Sequence, residues 1–141
     1  MKISSAELET FNLGKALGEK LGGGDVVLLS GFLGAGKTVF AKGVAAGLLV
    51  KDEVLSPTFT IMTEYKAANN LTLCHIDAYR IKDETELAET GIGEVIGAPD
   101  TVAVVEWHEN IAGLFKNGKA VRVEIKPVSE TKREIIINDN K

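Results

Sequence analysis

Gly31-Phe32-Leu33-Gly34-Ala35-Gly36-Lys37-Thr38 is a glycine-rich run closed by a lysine and a hydroxyl, the full G-x-x-x-x-G-K-[ST] (Walker A) pattern. Glycines let successive backbone N–H groups turn inward and form a concavity for anions. A helix starting at the end of the run adds the positive end of its dipole. Lys37 is long enough to reach the β- and γ-phosphates of a nucleotide, and the Thr38 hydroxyl can ligate Mg2+. The apolar run Val26-Val27-Leu28-Leu29 precedes the loop, and the helix-compatible run Val39-Phe40-Ala41-Lys42 follows it. With four fixed positions, the pattern arises by chance in a chain of this length roughly once in a hundred or less. These residues predict a nucleoside triphosphate site.

Such a site also needs a carboxylate for the metal and a group that positions water. Two apolar stretches end in acids: Leu73-Cys74-His75-Ile76-Asp77, and Val102-Ala103-Val104-Val105-Glu106 ahead of Trp107. An acid at that place can merely mark where a strand leaves the core. Beside a phosphate loop, both strand tips are expected to converge on the nucleotide. Residue types alone leave open whether Asp77 or Glu106 meets the metal. In Ser56-Pro57-Thr58-Phe59-Thr60, Thr58 has the position of a γ-phosphate sensor on a mobile loop, or of a hydroxyl that closes a proline turn. His75 and His108 lack partners at metal spacing, so zinc is not expected. Cys74 reads as a small core side chain, and Trp107 as a core anchor or an interface residue.

The elements that must hold these groups follow from spacing. Ser4 and Glu7 stand at capping-box separation, and Leu13, Ala16, Leu17 and Leu21 share a helical face that Gly22-Gly23-Gly24 ends. Residues 25–30 and 101–107 read as buried strands, apolar without alternation. The helix after the loop is expected to end between Leu48 and Val50. Residues 59–65 and 71–77 form a hairpin about 66–70, residues 83–90 a short helix closed by Gly91, and the segments around 121–125 and 135–137 an antiparallel pair. The predicted fold is α/β: a three-layer sandwich with a mixed, mostly parallel central sheet and helices on both faces. Residues 1–141 are taken as a single domain.

Composition narrows the partners. A net charge of −4 and three arginines, Arg80, Arg122 and Arg133, are poor material for gripping RNA directly. No apolar stretch approaches a membrane span, and the first residues lack the long apolar core of a signal peptide. Cys74 is the only cysteine, so no internal disulfide is possible and a reducing cytoplasm is expected.

Taken together, the loop, the Ser56-Pro57-Thr58-Phe59-Thr60 segment, His75-Ile76-Asp77-Ala78-Tyr79-Arg80 and Val105-Glu106-Trp107 resemble, in order and spacing, the bacterial TsaE (YjeE) family. These are ATPases of tRNA threonylcarbamoyladenosine biosynthesis. The resemblance spans nearly the whole chain, including Glu9-Thr10 and Leu13-Gly14 in the first helix. It implies the P-loop NTPase fold and a small cytoplasmic ATPase acting with TsaB- and TsaD-type partners, to which the acidic balance of this chain leaves the tRNA. Its ATP would drive assembly, reset or product release rather than the transfer itself. The resemblance assigns Gly31, Gly34, Ala35, Gly36, Lys37, Thr38 and Val39 to the nucleotide, with Thr58 nearby and Thr10 close to the adenine. It gives Mg2+ to Thr38 and Glu106, and a catalytic part to Lys37, Asp77 and Glu106, with Glu106 as the direct ligand. Phe32 replaces the family's usual Asp or Asn, and His108 stands where proline is commoner.

Two other readings start from the same loop. A small-molecule kinase would need an arginine-bearing lid, for which three scattered arginines supply little. A nucleotide-dependent switch without useful turnover is the other; no N-K-x-D stretch is present for guanine.

Overall fold

In the computed structural model of the protein, the residues described are 2–31, 36–52, 62–78, 85, 91–106 and 120–139. The elements are β1 (Lys2–Ser4), α1 (Glu7–Gly18), β2 (Val26–Gly31), α2 (Lys37–Gly47), β3 (Met62–Lys66), β4 (Thr72–Asp77), α3 (Ile92–Val95), β5 (Thr101–Glu106), β6 (Ala120–Pro127) and β7 (Arg133–Asp139). The strands form one sheet in the order β1-β7-β6-β2-β5-β4-β3. The four central strands β6, β2, β5 and β4 run parallel, and the edges are closed by antiparallel partners. This is the mixed α/β sandwich expected of a P-loop NTPase.

Strand chemistry explains the centre. Val26, Val27, Leu28 and Leu29 are all buried, as are all six residues of β5. Strands covered on both faces have no reason to alternate, and these do not. Odd and even positions serve different layers. Val27, Leu29, Leu73, Val102, Val104, Val121, Val123 and Ile125 meet α1 and α2 through Leu17, Phe40 and Val44, with Leu21 just past α1 in the same cluster. On the opposite face, Leu28, Cys74, Ile76, Ala103 and Val105 cluster with Ile92, and Val95 packs against them.

The two helices on the first face touch backbone to backbone. A β-carbon at Gly14 would lie 2.3 Å from the Phe40 carbonyl oxygen, and one at Gly18 2.3 Å from that of Val44. From the other side, a β-carbon at Gly43 would lie 2.1 Å from the Phe11 oxygen and one at Gly47 2.3 Å from the Lys15 oxygen. Small residues four apart on both helices remove the side chains that normally hold axes 8–10 Å apart. This crossing was not foreseen from the sequence. The apolar stripe was right for Leu17 and Leu21, whereas Ala16 is exposed and the glycines take the interface.

Other boundaries shift for identifiable reasons. Helix α1 begins after Ala6, an N-cap without a side-chain bond, and not after Ser4. Ser4 instead belongs to β1, which pairs antiparallel with β7. The reciprocal bond comes one residue later, where the Glu9 carboxylate accepts from the Ser5 N–H at 2.5 Å. Glu7 and Glu9 in the first turn and Lys15 in the last suit the helix dipole. The helix stops at Gly18, ahead of the triple glycine. Helix α2 ends at Gly47 with Leu48 as its cap. The β3–β4 hairpin turns through Asn69 and Asn70, both at positive φ, with Ala67 N–H bonded to Leu71 O at 2.9 Å. The antiparallel β6–β7 pair is present. Gly91, at φ +77, opens the short helix α3. The helix expected over 83–90 and the strand start at 59–61 fall outside the described residues, Thr85 aside.

Candidate functional site

The centre of the site is set by where β2 hands over to α2. Gly36, at φ +106, is the N-cap of α2, a conformation that favours glycine. The first helical bond runs from Phe40 N–H to Gly36 O at 3.0 Å, and no side chain caps the helix. The N–H groups of the first turn thus point out of the helix start, where an anion would be held. Thr38 and Val39 are half-buried in that turn.

Parallel pairing brings the two acids to the same edge. In the β4–β5 ladder Asp77 stands opposite Glu106, and in the β2–β5 ladder Leu29 stands opposite Glu106. The carboxyl ends of β2, β4 and β5 therefore lie side by side at the start of α2, as ligand sites of open α/β sheets require. Glu106 is 6% exposed and Lys37 is equally buried. Their charged groups face one another, with Lys37 Nζ 4.0 Å from Glu106 Oε1. The second carboxylate oxygen is taken by His75, with Nε2 and Oε2 2.7 Å apart. Asp77 is half-buried at the rim. A buried cation and a buried carboxylate are costly unless each is compensated, and here they compensate each other.

Beside this centre opens a cleft of about 360 Å³, within the ~300–1,000 Å³ usual for small-molecule sites. Three segments line it: Ser5, Ala6, Glu7 and Thr10 from the turn into α1 and its first turns, Gly36 and Val39 from the loop end and α2, and Glu130 and Thr131 from the β6–β7 turn with Arg133 at the start of β7. Thr10 is anchored: its hydroxyl lies 2.7 Å from Ser4 Oγ, which in turn donates to Ala6 O at 2.8 Å. A β-carbon on Gly36 would stand 3.8 Å from the Thr10 methyl, so Thr10 and the loop end share one wall. Arg133 folds the β6–β7 turn, its Nη1 donating to Ser129 O at 2.9 Å and Lys132 O at 3.0 Å.

Of the residues picked from sequence, Gly31, Gly36, Lys37, Thr38, Val39, Thr10, Asp77 and Glu106 lie on this edge and cleft. Gly34, Ala35 and Thr58 fall outside the described residues, as do Phe32, Tyr79, Arg80, Trp107 and His108. Sequence reasoning missed the β6–β7 turn as a wall, and His75 as the partner of Glu106. For His75 the available signal was its position two residues before Asp77, which puts both on one face of β4.

No helix among the described residues is long and apolar enough to cross a membrane. Comparison with known proteins agrees with the geometry. The family model described as threonylcarbamoyl adenosine biosynthesis protein TsaE matches residues 4–135. The tRNA threonylcarbamoyladenosine biosynthesis protein TsaE of Treponema pallidum is 35% identical over 135 residues, covering 96% of this chain and 97% of its own. That of Mycobacterium bovis is 40% identical over 131 residues, 88% of this chain and 78% of its own. The crystal structure of YdiB from Bacillus subtilis superimposes with a TM-score of 0.77 at 32% identity, covering 99% of this chain and 84% of that one. With the phosphate-loop edge built as it is and the match running through almost the entire sequence, this chain belongs to the TsaE family.

Proposed function

We propose that this protein is the ATP-binding and ATP-hydrolysing component of the tRNA threonylcarbamoyladenosine pathway to which its family belongs. The observation that carries the reading is the burial of Lys37 and Glu106 together, 4.0 Å apart, at the uncapped start of α2. Phosphates would lie over the first turn of α2, with Lys37 contributing charge-assisted hydrogen bonds. The adjoining cleft between Thr10, Gly36 and the β6–β7 turn has the room and the mixed polarity to take the nucleoside.

The donor set suits Mg2+. Thr38 and Glu106 offer a hydroxyl and a carboxylate, and a hard cation takes oxygen ligands. When bound, Mg2+ neutralises charge that builds up on the phosphates during transfer. The chain's own groups do the rest. Glu106 is held on one side by His75 and on the other faces Lys37, so its carboxylate is oriented before any ligand arrives. Asp77 stands at the rim opposite Glu106 in the ladder, and in this reading it would orient a water and accept its proton. Few arginines are available to stabilise transition-state charge, which favours slow turnover alone and stimulation by partners. TsaB- and TsaD-type proteins fit that role, and the acidic balance of this chain leaves the tRNA to them. Hydrolysis would then drive assembly, reset or product release. A cytoplasmic setting accords with a single buried thiol.

The test is reconstitution of the tRNA modification from purified components with and without this chain, alongside ATP hydrolysis. ATP-dependent multi-turnover modification that stops when the chain is omitted supports the proposal. Undiminished modification in its absence would refute it.

A further inference from the structure

We infer that His75 is the positioning residue of the metal site: its Nε2–H holds Glu106 Oε2 and thereby presents Glu106 Oε1 on the Lys37 side. This rests on the reading of Glu106 as a Mg2+ ligand. The placement follows from strand register. His75 and Asp77 lie on one face of β4, and Asp77 is paired with Glu106 while His75 is paired with Val104. The Glu106 side chain reaches one step back along the diagonal to make a 2.7 Å bond with the ring.

Three observations separate this from a passive core histidine. His75 is 1% exposed, so its imidazole has given up water on all sides. Among the described residues its Nδ1 has no hydrogen-bond partner, a cost that an aliphatic side chain of similar volume would avoid. Among those residues the ring makes one strong polar contact, and it is with the acid beside Lys37. A carboxylate accepts and cannot donate, so Nε2 carries the proton.

The consequence for Glu106 is geometric. Its side chain has several rotatable bonds and loses rotamer freedom when ordered. With Oε2 bound to His75, the carboxylate plane is fixed and the two oxygens have separate tasks. Oε1 faces Lys37 Nζ at 4.0 Å, beyond hydrogen-bond length, so the pair is held close without being closed. Partners of ligating groups commonly orient them in this way, and losing one costs about 10- to 100-fold in metal affinity.

The experiment measures ADP affinity by titration calorimetry in Mg2+ and in EDTA, so no turnover is needed. In His75→Leu the Mg2+-dependent gain in affinity should fall by roughly 10- to 100-fold while affinity in EDTA is unchanged. His75→Gln, whose side-chain N–H can be donated from near the position of Nε2, should recover most of the gain. Full gain in His75→Leu, or equal losses with and without Mg2+, would overturn the inference and leave a structural role only. Glu106→Ala separates the two levels. If it keeps the full gain, the metal-ligand reading fails and this inference with it; if it loses the gain while His75→Leu does not, this inference alone fails. Should His75→Leu not fold, 15N spectra of the His75 ring in the native protein decide. A protonated Nε2 whose signal shifts in Glu106→Ala supports the bond, and a bare Nε2 refutes it.

Discussion

Gly43 of α2 lies so close to Phe11 of α1 that a β-carbon on it would stand 2.1 Å from the Phe11 carbonyl oxygen. The obstacle is backbone, which cannot rotate away as a side-chain tip does. Together with Gly14, Gly18 and Gly47, it fixes α1, which carries Thr10, against α2, which begins at Lys37. The helix contact therefore sets the width of the cleft between Thr10 and Gly36.

Gly43→Ala should accordingly push the helices apart. The expected cost is about 3 kcal/mol, at the upper end of overpacking effects, and roughly 10 °C in melting temperature. Calorimetric melting measures it. An unchanged melting temperature would show that the crossing has slack.

Lys37→Ala should leave the fold intact and weaken nucleotide binding strongly. The lysine's charged contacts to phosphate account for about 2 kcal/mol, a factor of roughly 30 in affinity. A folded variant that binds ATP as the native protein does would move the phosphate site elsewhere.

Glu106→Ala and Asp77→Ala should differ in kind. Glu106→Ala should weaken Mg2+-dependent binding, since it removes a buried oxygen donor beside Lys37. Asp77→Ala should spare binding and slow hydrolysis, on the order of 100-fold if the residue handles the proton of water. Binding and single-turnover assays on both variants check the division. The reverse pattern would exchange the two roles.

Cys74 should be inert in the native protein. Burial pushes its thiol from 9.0 up to about 12, with the negative charge of Glu64, its partner across the β3–β4 ladder, adding to the effect. The native protein should resist iodoacetamide at pH 8 and react on unfolding. An unfolded chain loses this proton near pH 9 while the folded one keeps it. Stability from this group is therefore intact below pH 9 and declines as pH rises toward 12, by at most about 1.4 kcal/mol per pH unit. Replacing Cys74 by alanine should flatten that decline in denaturant titrations at pH 9 to 10.

ATP hydrolysis by the isolated chain should be slow and rise on addition of TsaB- and TsaD-type proteins. Rates measured with each partner alone and with both would identify which one acts. Full activity without partners, combined with tight tRNA binding by this chain, would contradict the proposal.

The chemistry-bearing spacings were legible in the sequence because they are local. A G-x-x-x-x-G-K-T loop between an apolar strand and a helix needs only neighbouring residues to be recognised, and uninterrupted apolar runs announced β2 and β5 as buried strands. The acids at the ends of β4 and β5 were visible for the same reason. Two features were fixed only by tertiary structure. The strand β1 is three residues long and exists because β7, far along the chain, offers it hydrogen bonds; Ser4 was consequently drawn out of the helix cap into the sheet. The bond between His75 and Glu106 joins residues 31 positions apart, and it depends on β4 and β5 pairing in parallel with Asp77 opposite Glu106. Pattern along a chain specifies which face a side chain takes; which strand lies next to it, and in what register, is decided by long-range pairing that burial of the whole sheet selects.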